Sequence, residues 1–99
     1  MMEYIRLTDS EAYADDTMPC EYYYEVNTRD DRLQERSIEV FPSGCIRRVT
    51  KAEYEADVIE LVPIPTVDEL NTGIWSEQQH AELISEAQFE ALWCQALPS

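Results

Sequence analysis

Residues 33–50 read LQERSIEVFPSGCIRRVT, and this stretch predicts a β-hairpin. Alternating residues of high β-propensity favour a strand over Leu33–Phe41. Pro42-Ser43-Gly44 has the composition of a tight turn, because proline fixes φ and glycine tolerates positive φ. The chain then returns as a second strand over Cys45–Thr50. A hairpin in the middle of the chain makes an antiparallel sheet the expected framework of the fold.

The same hairpin carries a group of arginines, Arg36, Arg47 and Arg48. We expect its exposed face to be locally basic and to pair with Glu35 and Glu39. Cross-strand pairs of this kind contribute only about 0.2–1 kcal/mol each.

Three further strands are predicted, over Glu3–Leu7, Glu21–Asn27 and Asp57–Val62. The second, EYYYEVN, is the clearest, because its alternation places Tyr22 and Tyr24 on one face and Tyr23 on the other. Residues 8–20 are polar and contain a proline near their end, so we expect a loop there.

Beyond Pro65 the apolar pattern changes to a helical period. Thr66 and Glu69 form a capping-box pattern for a short helix that Asn71-Thr72-Gly73 ends. A linker through Trp75 and His80 leads to a second capping box, Ser85 to Gln88. The helix that follows carries an amphipathic face and stops at Pro98. That face consists of Phe89, Leu92, Trp93 and Leu97.

These elements predict an α+β fold, with an antiparallel sheet of four to five strands and a C-terminal helix packed on one face. With 99 residues and a mass of 11.5 kDa, we expect residues 1–99 to form a single domain. No stretch approaches the length of a membrane span, and MMEYIRLTDSE lacks the apolar region of a signal peptide. We therefore expect a cytoplasmic protein.

The charge of the chain is strongly asymmetric. It has 21 acidic and 7 basic residues and a formal net charge of −14. All the basic residues lie within residues 1–51, whereas residues 52–99 contain ten acids and neither lysine nor arginine. Such a segment cannot neutralise its own field, so it repels nucleic acid and anionic lipid and attracts basic surfaces. We expect no nucleic-acid or membrane binding. The acidity either keeps the protein in solution or docks it on a cationic partner.

Few residues are suited to catalysis or metal binding. The one histidine, His80, lies in WSEQQHAEL without a glycine-rich elbow, and two glycines cannot build a phosphate-binding loop. Cys20, Cys45 and Cys94 are too widely spaced for a zinc site, and we expect them to be buried and inert. We predict no catalytic residue, no cofactor and no metal.

Tyr23 and Trp75 leave alternatives open. If no element covers its face of the sheet, Tyr23 with Glu21 and Glu25 forms an aromatic spot within an acidic patch, which suits an arginine-rich partner. The C-terminal helix is the competing explanation, since it would bury the same face. Trp75 is either an anchor for a partner or an ordinary core residue.

Three segments carry a resemblance to a known family: EYIRL, RSIEVFPSGCIRRV and SEAQFEALW. The chain resembles a family of small bacterial proteins described only as a domain of unknown function. Ser43, at a turn position where an acid or asparagine is common, and the acidic insert at 8–20 are departures from its pattern. The resemblance implies the fold and a bacterial cytosolic setting, and it implies no catalytic residue. Immunity proteins encoded beside toxins have a similar small and acidic character, which is an analogy only.

The leading hypothesis is a non-catalytic binding protein, an immunity protein or antitoxin that occludes a basic toxin such as a nuclease. The alternatives are a phage-derived DNA mimic that inhibits a host defence nuclease, a small enzyme that uses carboxylates alone, and a regulatory module for a cation-rich partner. The residues expected to bind the partner are aromatic or acidic: Tyr23, Glu53, Glu55, Asp57, Glu60, Asp68, Glu69, Trp75 and Glu77.

Overall fold

A computed structural model describes residues 2–9, 19–29, 31–50, 63–75 and 77–98. The strands are β1 (Met2–Asp9), β2 (Glu21–Asn27), β3 (Leu33–Val40), β4 (Ile46–Thr50), β5 (Gln79–Leu83) and β6 (Leu97–Pro98), and the helices are α1 (Val67–Asn71) and α2 (Glu86–Gln95). The described strands form one sheet in the order β5-β1-β2-β3-β4-β6.

The predicted fold class is confirmed: β1 to β5 pair in antiparallel fashion, and α2 packs on one face of the sheet. The two-residue β6 adds a short parallel pairing to β4. The register sets Tyr23 opposite Arg6 and Tyr24 opposite Ile5, while β5 joins the other side of β1. Strands distant in sequence therefore meet at the β5–β1–β2 end of the sheet.

Apolar side chains are buried on both faces of the sheet. On one face, Ile5 and Tyr24 belong to a cluster closed by Leu70 of α1 and by Ile64. On the other face, Tyr4, Tyr23 and Ile38 pack against Phe89 of α2. The period-2 alternation of EYYYEVN therefore places Tyr23 and Tyr24 in different clusters, as its pattern predicts.

The predicted turn and caps are present. In the hairpin, Gly44 adopts φ +93° and its N–H donates to the Phe41 carbonyl at 2.8 Å. The Ser85 and Gln88 capping box opens α2, and the Thr66 and Glu69 box opens α1. Because α1 is only five residues long, these bonds and the burial of Leu70 hold it in place.

The predicted linker through His80 is wrong, because residues 79–83 form β5. QHAEL has little β-propensity, and its pairing depends on backbone bonds to β1 and on one side chain. The Asn71 amide donates to the Ala81 carbonyl at 3.0 Å and its carbonyl accepts from the Ala81 N–H at 2.7 Å. Tertiary context thus makes a strand that the local sequence does not specify.

The predicted end of the C-terminal helix is also wrong, since α2 ends at Gln95 and Leu97 belongs to β6. Proline disfavours the helical conformation at the residue before it, so Pro98 keeps Leu97 extended. At the other end of the chain, β1 continues through Asp9, beyond the predicted Leu7 and into the expected loop. The predicted strand at 57–62 lies outside the described residues.

The cysteines only partly match the expectation of burial. Cys20 is buried, whereas Cys45 and Cys94 are exposed. Cys45 follows the hairpin turn, and Cys94 lies on the part of α2 that faces away from the sheet. Among the described residues, no helix is long and apolar enough to span a membrane.

Candidate interaction site

The arginines of the first half of the chain neutralise part of the acidic second half. Arg6 pairs with Glu82 of β5 at 2.9 Å and also with Glu21. Arg36 pairs with Glu25 and with Glu90 of α2. Residues 52–99 supply no cation of their own, but these long-range pairs give Glu82 and Glu90 an arginine partner that each of them shares with a second carboxylate.

The Arg36 pairs join α2 to the sheet. Nε and Nη2 of Arg36 donate to the two carboxylate oxygens of Glu25 at 2.9 and 2.6 Å, and Glu25 is 6% exposed. The Tyr4 hydroxyl donates to the same carboxylate at 2.9 Å, and burial with this contact raises the pKa of Tyr4 to about 12. Hydrogen bonds from Arg36 lower the pKa of Glu90. The Arg36 guanidinium also lies 5.0 Å from the ring centre of Phe89.

The prediction that the hairpin has an exposed basic face is largely wrong. Arg36 lies beneath α2, and the Arg48 guanidinium lies 5.1 Å from the Trp93 ring centre. Only Arg47 is exposed, and it pairs with Glu39, as predicted. Glu35 instead accepts a hydrogen bond from the Asn27 side chain at 3.4 Å.

Four of the predicted partner-binding residues lie on α1 and on the segment that leads from it into β5. We call this set, Asp68, Glu69, Trp75 and Glu77, the acidic turn. All four are exposed. The Glu69 carboxylate also caps α1, and hydrogen bonds from Thr66 lower its pKa. No arginine or lysine of the described ranges pairs with Asp68 or Glu77.

Trp75 is both a packed residue and a surface residue. Its ring meets Tyr24 edge to face at 6.4 Å between centroids, yet 41% of the residue stays exposed. Its neighbour Ile74 is 57% exposed. Gly73, with φ +86°, makes the turn that presents both side chains. The acidic turn therefore combines carboxylates with a fixed aromatic ring.

Of the two alternatives left open for Tyr23, burial beneath the C-terminal helix is the one that holds. Tyr23 is 8% exposed because α2 covers this face of the sheet. Its hydroxyl accepts a hydrogen bond from Nε of Arg6 at 3.1 Å. Burial and the nearby Glu21 carboxylate raise the pKa of Tyr23. A role for Tyr23 in partner binding stays a prediction.

A groove of about 400 Å³ opens between α2 and the β5–β1–β2 end of the sheet. Its apolar lining residues are Ile84, Ala91 and Leu92, and its polar ones are Arg6, Tyr23, Glu82, Gln88 and Gln95. The Arg6 guanidinium is enclosed by Glu21, Glu82 and the Tyr23 hydroxyl. The groove therefore combines the partly exposed Glu82 carboxylate with apolar side chains.

Sequence reasoning did not find this groove. Arg6 and Glu82 are 76 residues apart, and only the pairing of β1 with β5 brings them together. The one signal in the sequence is that Leu92 belongs to the predicted amphipathic face of the C-terminal helix. The predicted partner residues Glu53, Glu55, Asp57 and Glu60 lie outside the described residues.

Within the described ranges, no three His, Cys, Asp or Glu side chains converge to hold a metal ion.

The chain belongs to a family described as a domain of unknown function (DUF6881), whose model matches residues 3–98. The family resemblance of EYIRL, RSIEVFPSGCIRRV and SEAQFEALW is thereby confirmed, at the level of a family without an established function. Neither a curated protein nor a solved structure matches the chain.

Proposed function

We propose that this protein is a non-catalytic binding protein that neutralises a basic partner by occluding the partner's surface. The partner class is a toxin, for example a nuclease whose substrate groove is lined by cations. The protein would then act as an immunity protein or antitoxin in the bacterial cytoplasm.

The observation that carries this proposal is the acidic turn. Asp68 and Glu77 are exposed and unpaired with any described arginine, whereas Glu25, Glu82 and Glu90 are held by arginines of the fold. Unmatched surface carboxylates create a field that accelerates encounter with a basic protein, and this acceleration weakens with salt. Trp75, exposed beside them, is the residue type that is enriched at binding hot spots.

The acidic turn also supports binding rather than acid–base catalysis. Glu69 is committed to the helix cap, and its lowered pKa favours a permanently charged carboxylate. A general acid near neutral pH needs the opposite shift. The Glu21 and Glu82 carboxylates, in turn, are ion-pair partners of Arg6.

The test is affinity capture of the tagged chain from a lysate of its source organism, eluted with a rising salt gradient and identified by mass spectrometry. We expect a basic protein that elutes as salt increases. Its activity, measured with and without one equivalent of this chain, should be abolished by the complex. Capture of no basic protein, or of one whose activity is unchanged in the complex, would overturn the proposal.

A matched pair of variants shows whether the acidic turn is responsible. Asp68→Asn with Glu77→Gln removes two exposed charges from the turn. Asp31→Asn with Glu86→Gln removes the same charge elsewhere, and asparagine suits the φ of +52° at Asp31. Asp68 and Glu86 are both first-turn acids, so the cost to each helix is similar. The first variant should elute at lower salt than the second.

A further inference from the structure

We propose that the groove between α2 and the β5–β1–β2 end of the sheet receives an arginine side chain of the partner. This inference rests on the proposed function, because it assigns a pocket to one side chain of the same basic partner. A volume of about 400 Å³ suits one long side chain with its flanking backbone.

The charge of the groove selects a cation. Arg6 contributes one positive charge, and two carboxylates, Glu21 and Glu82, already surround it. The Arg6 charge is therefore compensated, and the local balance is negative. Glu21 pairs with Arg6 but does not line the groove, whereas Glu82 does. An entering anion would therefore meet the Glu82 carboxylate and the net charge of −14, and an entering cation is attracted by Glu82.

Glu82 is placed to receive the guanidinium head. Its side chain is 47% exposed, and among the described residues only its Oε1 accepts a hydrogen bond, from Arg6. Oε2 is thus available as an acceptor, and a guanidinium offers N–H groups in a planar fork that suits a carboxylate.

The apolar residues that line the groove suit the aliphatic stem of the partner's arginine. Ile84, Ala91 and Leu92 present apolar atoms along the groove. Arginine buries its methylene stem on apolar surface while its head group stays among polar groups. The groove and the acidic turn both adjoin β5, since Glu82 lies on this strand and the turn leads into it. The groove is on the α2 face and the acidic turn on the α1 face, so a partner contacts both only if it binds across the edge strand β5.

Binding of an arginine side chain to the groove is measured without the partner, by NMR titration of the full chain with N-acetyl-arginine amide. Its uncharged isostere, N-acetyl-citrulline amide, serves as the ligand control at matched ionic strength. We expect arginine amide to shift the backbone amide signals of Glu82, Ile84, Ala91 and Leu92 with a dissociation constant of about 1–20 mM. Citrulline amide should bind at least about fivefold more weakly, because it lacks the charge that Glu82 attracts.

A helix variant and its matched control place the effect in the groove. Ala91→Lys puts a lysine of the chain's own into the groove, and Ala87→Lys puts the same charge on an exposed position of α2 that does not line it. Lysine is a good helix former, so both variants should fold. Ala91→Lys should weaken arginine amide binding at least about tenfold, and Ala87→Lys less than about twofold.

Equal binding of citrulline amide, equal effects of the two lysine variants, or shifts confined to the acidic turn would overturn the inference. So would the lack of any shift up to about 50 mM arginine amide. These outcomes leave the capture experiment unaffected. Conversely, a capture experiment that yields no basic protein refutes the proposed function and leaves the titration to report on the groove alone.

Discussion

The two faces of the sheet use acidic residues in different ways. On the face covered by α2, Glu25 and Glu90 hold Arg36 between the sheet and the helix. On the face covered by α1, Asp68, Glu77 and Trp75 are exposed, and neither acid forms an ion pair with an arginine of the described residues. The described acids therefore fall into two populations, one that pairs with arginines within the fold and one, in the acidic turn, that we propose meets a partner.

The largest expected effect comes from removing the aromatic contact beneath α2. Phe89 is 0% exposed, and Phe89→Ala should lower the free energy of unfolding by about 3–5 kcal/mol through lost burial and a cavity. Ile74→Ala, in the exposed turn on the other face, should lower it by less than about 1 kcal/mol. Urea unfolding of both variants measures the difference. Similar losses of unfolding free energy in the two variants would contradict the contrast between a packed α2 face and an exposed turn on the α1 face.

Removal of the half-buried Arg36 guanidinium should have the next largest effect. Arg36→Met leaves the Glu25 carboxylate without its bidentate partner and should lower the free energy of unfolding by about 3 kcal/mol. Arg47→Met breaks an exposed pair with Glu39 and should cost less than about 1 kcal/mol. Equal costs, measured by urea unfolding at neutral pH, would remove the distinction between structural and surface ion pairs.

Much of the fold could be predicted because its signals are local. Pro42-Ser43-Gly44, the alternation of EYYYEVN and the two capping boxes each act within a few residues, and each is present in the structure. The strand β5 could not be predicted, because QHAEL becomes a strand through backbone pairing with β1 and through the Asn71 side chain. The residues that make it a strand lie in other parts of the chain, in β1 and at Asn71.

The site was only partly predictable for the same reason. Composition shows that residues 52–99 contain no basic residue, but it cannot show that Arg6 and Arg36 reach Glu82 and Glu90. The residues of the acidic turn could be proposed from the sequence, since they are acidic or aromatic and close together in the chain, and their role in partner binding stays a prediction. Burial of Tyr23 depended on which face the C-terminal helix covers, and alternation alone does not decide that.

A smaller effect is expected at alkaline pH on the α2 face. The folded-state pKa of Tyr4 is raised from 10 to about 12, so its neutral form contributes stability below pH 10 that is lost as pH rises toward 12. Tyr4→Phe removes the titrating group and should remove this part of the pH dependence. It should also cost about 1 kcal/mol at neutral pH, because the hydrogen bond to Glu25 is lost. Urea unfolding between neutral pH and pH 12 checks both effects, and an unchanged alkaline profile in Tyr4→Phe would contradict the assignment.

The division between the two populations of acids is tested most directly by the association rate of the chain with its captured partner. The rate is measured at low salt for the wild type, for Asp68→Asn with Glu77→Gln, and for Asp31→Asn with Glu86→Gln. The acidic-turn variant should associate at least about threefold more slowly than the control variant, and the difference should shrink as salt increases. Equal association rates for the two variants would contradict the claim that the acidic turn steers the partner.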